Sequence, residues 1–272
     1  MHHADGHTDG DPKLKYWSAG DAGPRVLLVM GFGMRGDLWR PQIQDLSVDH
    51  QVAWYDHRGI GDSERGGKRV WTISDMADDA LAVLDALGWE TAHLVGVSMG
   101  GMIAQEMAIA AEDRFSTLSL LVTHAGGPLR RKVPPLPGIR AFATANLGTG
   151  RARVEGLRRI LYPDHYAANT NGSALRTRIA LQMGRPVDRS TTLAQLYAVA
   201  RHDTRDRLKA LSLPTLIVKA GEDILVQPES SDRLLELLPH ARLVEYPDSG
   251  HGLIFQKATE LNVALRDHFA SA

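Results

Sequence analysis

The chain has no cysteine among its 272 residues. That excludes disulfides, thiolate-ligated zinc and a thiol nucleophile, and it fits a reducing compartment. Net charge is nearly missing too: 31 Lys and Arg stand against 32 Asp and Glu, leaving a formal charge of -1 at pH 7. So balanced a chain lacks the basic field that gathers nucleic acid or anionic membrane. No apolar run reaches the length of a membrane span, and the first residues carry no apolar stretch of the signal-peptide kind. The expectation is a soluble cytoplasmic protein, a monomer or homodimer, with neither nucleic acid nor membrane as partner. Internal repeats and low-complexity tracts are absent outside residues 1–12. There, polar residues, glycines and three histidines predict a flexible tail in preference to a metal site.

What is present is enough apolar material, 43% of residues, for one large domain or a domain with an insertion. Short apolar strands alternate with amphipathic helical patterns. Such alternation predicts an α/β fold with a mostly parallel central sheet and helices on both faces. Between Gly126 and about Leu213 the alternation breaks. A proline-rich lead (Pro128, Pro134, Pro135, Pro137) is followed by helical patterns alone, which predicts an inserted helical lid at 126–213 between core segments 13–125 and 214–272. Phe142, Leu147, Leu157, Leu161, Leu181, Met183, Leu196 and Tyr197 are its candidates for lining an apolar pocket.

The sequence turns on one stretch, His93 to Gly101, reading His-Leu-Val-Gly-Val-Ser-Met-Gly-Gly. An apolar strand runs into Gly96-Val97-Ser98-Met99-Gly100, a G-x-S-x-G pattern, and a helical pattern follows. The glycines have a mechanical reason: a sharp strand-to-helix turn that strains the serine backbone leaves no room for a Cβ on either side. Ser98 is thereby presented as a nucleophile at a helix N-terminus, whose free N–H groups favour developing negative charge. A hydroxyl is a poor nucleophile at neutral pH and needs an imidazole to take its proton. Of the 12 histidines, His251 is the candidate, in Asp248-Ser249-Gly250-His251-Gly252 after the last strand. The imidazole in turn needs a carboxylate to orient it.

With Gly31-Phe32-Gly33 after an early strand and Asp56-His57-Arg58-Gly59-Ile60-Gly61-Asp62-Ser63 after the next, these motifs resemble the α/β-hydrolase superfamily from about Tyr16 to Phe269. Within it the pattern is similar to lid-bearing serine esterases related to polyketide methyl esterases. The resemblance implies an α/β-hydrolase fold, a catalytic triad in the order Ser, acid, His, and no metal or organic cofactor. It departs from the family's usual Gly-x-x-Asp acid turn, because Ile224 stands three residues after Gly221. Taking the apolar pair Leu225-Val226 as the anchor makes Asp223 the acid, with Glu222 as the alternative. The oxyanion donors implied are the backbone N–H groups of Phe32 and Met99. Met30 stands where many members carry a histidine that buttresses this loop. Asp56 and Arg58 are expected to hold their turn by charge-assisted hydrogen bonds, Asp248 to form a turn, and His124 to wall the pocket.

The implied activity is hydrolysis of a carboxylic ester of a small apolar or polyketide-like molecule through an acyl-enzyme. Alternatives on the same fold are lactone or carbon–carbon bond hydrolysis, cofactor-free lyase or oxygenase chemistry, and small-molecule binding without catalysis.

Overall fold

Apolar residues in the strands fall on both faces, and a sheet so built must be covered twice. The computed structural model, which describes residues 3–128, 133–183 and 187–271, shows how. Eight strands form one sheet: β1 (His3–His7), β2 (Lys15–Ala19), β3 (Arg25–Val29), β4 (Gln51–Tyr55), β5 (Ala92–Val97), β6 (Phe115–Leu121), β7 (Thr215–Ala220) and β8 (Ala241–Tyr246). Their order is β1-β2-β4-β3-β5-β6-β7-β8. The first two strands run antiparallel to their neighbours and the rest are parallel. The fold is therefore the α/β-hydrolase fold that the motifs imply.

Alternation along the strands divides the core. In β3, Leu27 and Val29 join one cluster while Val26 and Leu28 join the other. The first is completed by α2 (Ile73–Ala86) and α3 (Met99–Ala110), the second by α1 (Arg40–Leu46) and the C-terminal helix (Ala258–Phe269). Helix α2 begins where its sequence directs: Thr72 accepts the Asp75 N–H, and the Asp75 carboxylate accepts the Thr72 N–H in return.

One expectation is overturned at the N-terminus. Residues 3–7 belong to the stretch expected as a flexible tail, yet they form β1, paired antiparallel with β2 from His3 opposite Ala19 to His7 opposite Lys15. Main-chain pairing does not require apolar side chains, and a polar strand suits an exposed sheet edge. Lys15 pairs with Asp5 across the two strands, and the hairpin closes where Thr8 N–H donates to the Leu14 carbonyl while Leu14 N–H donates to the Thr8 hydroxyl oxygen. Residues 1 and 2 lie outside the described residues.

Between β6 and β7 the described residues hold only helices: α4 (Leu136–Leu147), α5 (Gly150–Leu161), α6 (Asp164–Asn169), α7 (Gly172–Met183), α8 (Arg189–Arg201) and α9 (Arg205–Leu208). Helices α4, α5 and α7 share a small core of their own, with Ala141, Ala145, Ile160, Leu161, Tyr162, Leu175 and Ile179 buried and Phe142 and Leu157 packed against it. Met34, Ile224 and Leu225 of the sheet's loops pack there too. Gly156 lets α5 close on α4, since a Cβ there would meet the Ala145 nitrogen at 2.5 Å. Helix α8 instead buries Ala194 and Ala198 in the sheet's own core. Four of the expected pocket-lining residues face outward: Leu147 is 84% exposed, Leu181 63%, Tyr197 43% and Leu196 37%. Small residues make the buried contacts of α4 and α8, which turns Leu147, Leu196 and Tyr197 to solvent, while on α7 Leu175 and Ile179 take the inner face and leave Leu181 outside. The Met183 side chain lies outside the described residues.

Candidate active site

Ser98 leaves β5 at φ 56°, ψ -121°, a conformation rare for a residue with a Cβ. The glycines around it are obligatory. A Cβ on Gly96 would run into the backbone of Gly100 and Gly101, and one on Gly100 would run into the carbonyls of Val29 and Met30. Gly31 closes from a third side, where a Cβ would sit 3.3 Å from that of Ser98. The turn that presents the serine is thus packed solid around a backbone that only glycines allow.

His251 meets it from the loop after β8. Its Nε2 lies 2.9 Å from Ser98 Oγ and its Nδ1 lies 2.7 Å from Asp223 Oδ2. With Nδ1–H donated to the carboxylate, Nε2 is left with a lone pair facing the serine hydroxyl. Loop glycines seat this ring against α5: Gly252 N–H donates to the Leu161 carbonyl at 2.8 Å, and Gly250 packs against Leu161 and Pro163. All three side chains are buried.

The acid turn is equally definite. Asp223 Oδ1 accepts the backbone N–H groups of Leu225 (2.7 Å) and Val226 (2.9 Å), which fixes the carboxylate and leaves Oδ2 for His251. Glu222, the alternative, points away: its half-exposed carboxylate lies 3.4 Å from His165. Asp248 accepts from Lys257 at 2.8 Å and stays off the imidazole.

The loop after β3 is pinned on both sides of Phe32. His57 Nε2 donates to the Met30 carbonyl at 2.7 Å, and Gln195 Oε1 of α8 accepts the Gly33 N–H at 2.9 Å. Burial holds the His57 pKa down to about 4, against the opposing pull of its bond to Met30, so the ring is neutral at pH 7. A buttressing histidine is therefore present, supplied by the next strand's turn in place of the position before Gly31. Sequence reasoning missed both residues. His57 lay within a quoted motif, whereas Gln195 is 162 residues from Gly33 and gave no signal. Among the described residues the backbone N–H groups of Phe32 and Met99 have no acceptor within the protein.

Asp56 does hold its turn, accepting from Gly36 N–H at 2.8 Å and Asp62 N–H at 3.2 Å; burial, partly offset by those bonds, raises its pKa. Arg58 does not share that work. It leaves the turn for α2, where Nε and a terminal nitrogen meet Asp79 at 2.6 and 2.7 Å while the guanidinium lies over Trp71. A buried cation with a buried carboxylate in reach pairs bidentately there in preference to the already satisfied Asp56. His124, expected as a pocket wall, accepts the Gly126 N–H on Nδ1 at 3.0 Å and sits beside the His202 ring. At the loop after β3, the rings of Phe32 and Phe142 lie 5.5 Å apart. Among the described residues no cluster of three or more His, Asp or Glu has the arrangement of a metal site, and no helix is long and apolar enough to cross a membrane.

A family model described as the alpha/beta hydrolase fold matches residues 24–258. A protein of Azorhizobium caulinodans named "Putative carbamate hydrolase RutD" is 36% identical over 246 residues, 89% of each chain. Among solved structures, the enol-lactonase from Burkholderia xenovorans superimposes with a TM-score of 0.82 at 22% identity, covering 98% of this chain and 100% of that one. A thermophilic esterase from Thermogutta terrifontis, described as malate bound, gives 0.80 at 25% identity, covering 100% and 99%.

Proposed function

The chain belongs to the alpha/beta hydrolase fold family, and from that premise we propose that it is a serine hydrolase cleaving carboxylic esters of small apolar or polyketide-like molecules through an acyl-enzyme. The observation that carries the reading is the unbroken chain Ser98 Oγ, His251 Nε2, His251 Nδ1, Asp223 Oδ2, with links of 2.9 and 2.7 Å. In the first half-reaction Ser98 Oγ attacks the ester carbonyl carbon while its proton passes to His251 Nε2. Negative charge moves to the carbonyl oxygen, between the Phe32 and Met99 N–H groups. A preorganised donor of this kind is worth about 10²-fold to 10³-fold in rate. Collapse expels the alcohol, which takes the proton from His251. Water then enters and attacks the acyl carbon, losing a proton to the same nitrogen; collapse releases the acid and breaks its bond to Ser98 Oγ, which takes that proton back from His251. Asp223 holds the ring in the tautomer both halves need and faces the imidazolium that forms. The helices at 126–213 act as the lid, with Phe142, Leu157 and Leu161 forming its apolar inner side.

A second reading, carbamate hydrolysis, is favoured by the name that the 36% identical relative carries. The same serine attack on a carbamate would leave a carbamoyl-enzyme, whose nitrogen lone pair feeds the carbonyl and slows attack by water. The two are separated by steady-state hydrolysis of p-nitrophenyl acetate and butyrate beside a p-nitrophenyl carbamate. Ester turnover well above carbamate turnover, both lost in Ser98→Ala, is the expected result. Sustained carbamate turnover with slow ester turnover would transfer the assignment to carbamates, and no turnover of either would remove acyl transfer.

A further inference from the structure

Two residues in this chain other than glycine hold a positive φ among the described residues: Ser98, and Val122 at 44°. A β-branched residue in that region is strained, and such strain persists only where the surroundings over-determine it. Val122 is no loose end. Its N–H still donates to the Val218 carbonyl at 3.0 Å, so the sheet continues through it. Val97 of β5 and Leu121 of β6 are register partners, so Ser98 and Val122 leave the sheet side by side.

The left-handed step at Val122 delivers Thr123. This side chain is fully buried, and its hydroxyl donates to the Ser98 carbonyl oxygen at 2.7 Å. The same oxygen accepts the N–H of Gly101 at 2.9 Å and of Met102 at 3.3 Å. Gly101 has no side chain because Thr123 occupies its space: a Cβ there would lie 2.7 Å from two Thr123 carbons. The Ser98 carbonyl and the Met99 N–H belong to one planar trans peptide group, so fixing the direction of the oxygen fixes the opposite direction of the N–H. Bonds accepted by the oxygen also polarise the peptide and make its N–H a better donor.

We infer that Thr123 is a positioning residue for the oxyanion hole, clamping the Ser98–Met99 peptide from behind so that the Met99 N–H is aimed and polarised toward the reacting carbonyl oxygen. The inference rests on the acyl-transfer reading of the site and deepens it. The strain at Val122 is what brings the clamp to the one peptide carrying both the nucleophile and an oxyanion donor. Helical bonds from Gly101 and Met102 hold that oxygen along the helix axis; Thr123 adds a side-chain donor from the neighbouring strand, tying the donor's orientation to the sheet.

The test compares Thr123→Val, which keeps the shape and loses the hydroxyl, with Thr123→Ser, which keeps the hydroxyl. For p-nitrophenyl acetate, Thr123→Val is expected to lower kcat by about 10-fold to 10²-fold, the cost of a misaimed catalytic group, with KM nearly unchanged and activity largely restored in Thr123→Ser. The diagnostic readout is the preference for an oxo-ester over the matching thionoester, because sulfur accepts hydrogen bonds poorly and the preference measures the oxyanion hole. It should shrink in Thr123→Val and not in Thr123→Ser. Activity lost with the preference intact, or no loss at all, overturns the inference. A second readout does not need turnover: in protein labelled with [15N]methionine, the Met99 and Met102 amide signals should move in Thr123→Val while the other methionine amides stay. If the wild type turns over no ester yet those two signals move, the ester reading falls and the clamp stands; if they do not move, the clamp falls. Should Thr123→Val fail to fold, Thr123→Ala serves in both comparisons.

Discussion

Two neighbouring carboxylates, Asp223 and Glu222, differ in what holds them. Asp223 is fixed by two backbone donors and faces His251, whereas Glu222 lies half-exposed beside His165. Asp223→Asn should therefore cost roughly 10³-fold to 10⁴-fold in kcat, the scale seen when a triad's imidazole is left in the wrong tautomer. Glu222→Gln should leave kcat within about twofold, a surface change away from any buried partner; steady-state ester hydrolysis by the two variants checks both. Gln195 gives a subtler expectation. Its one bond to Gly33 N–H ties the oxyanion loop to α8, and losing a neutral bond worth about 1 kcal/mol should slow kcat by about fivefold in Gln195→Ala. The candidate triad was legible in the sequence because each member sits in a short motif whose glycines exist for steric reasons. The choice between Asp223 and Glu222 rested on the apolar Leu225-Val226 anchor, and those two residues turn out to supply the N–H groups that hold Asp223. The loop's supports were not legible, since neither Gln195 nor Thr123 is near its partner in the chain.

Elements are joined by a few buried polar links, and removing one partner of such a link is costly because the other is left buried and unpaired. Arg58 and Asp79 are both buried and bidentate, joining the turn after β4 to α2. Asp79→Ala should cost about 3–5 kcal/mol by stranding the guanidinium, while the double replacement Arg58→Met with Asp79→Leu should recover most of it. Urea denaturation of the single and double variants gives the comparison. Periodicity could place α2 and β4, yet it could not reveal that Arg58 would leave its own turn for a helix; a charge says nothing of its partner. The same blindness explains β1, where polar residues gain order from main-chain pairing. Within the insertion, helices were legible as helices. Their inner faces were legible only in part: Phe142, Leu157 and Leu161 pack inward as expected, while alanines and a glycine make the closest contacts of α4, α5 and α8 and leave Leu147, Leu196 and Tyr197 outside.

For the molecule as a whole, three buried histidines set a pH dependence. Burial lowers His57, His93 and His268 to about 4 each. Unfolding frees them to titrate near the ordinary value of about 6.5. In that window the unfolded chain binds more protons than the folded one, so stability is fully present above about pH 6.5 and is lost as pH falls toward 4. Each contributes a slope of at most about 1.4 kcal/mol per pH unit. Asp56 and Asp79, whose pKa values burial raises, act in the opposite sense at the acid end. Melting temperature should accordingly fall steadily from pH 7 to 4.5, and His268→Gln should flatten the fall. The parallel part of the sheet was readable from the alternation of strands and helices, whereas nothing in the sequence signalled the burial of His57 on the Met30 carbonyl, His93 against Phe269 or His268 on the Leu118 carbonyl.

The central claim is that Ser98 carries the acyl group. Mass spectrometry of wild-type protein quenched within the first turnovers of p-nitrophenyl acetate, followed by peptide mapping, reads it directly. An acetyl group on the peptide carrying Ser98, formed in step with the release of nitrophenol and absent from Ser98→Ala, is the result the account predicts. Turnover without any adduct on Ser98, or undiminished turnover by Ser98→Ala, would contradict it.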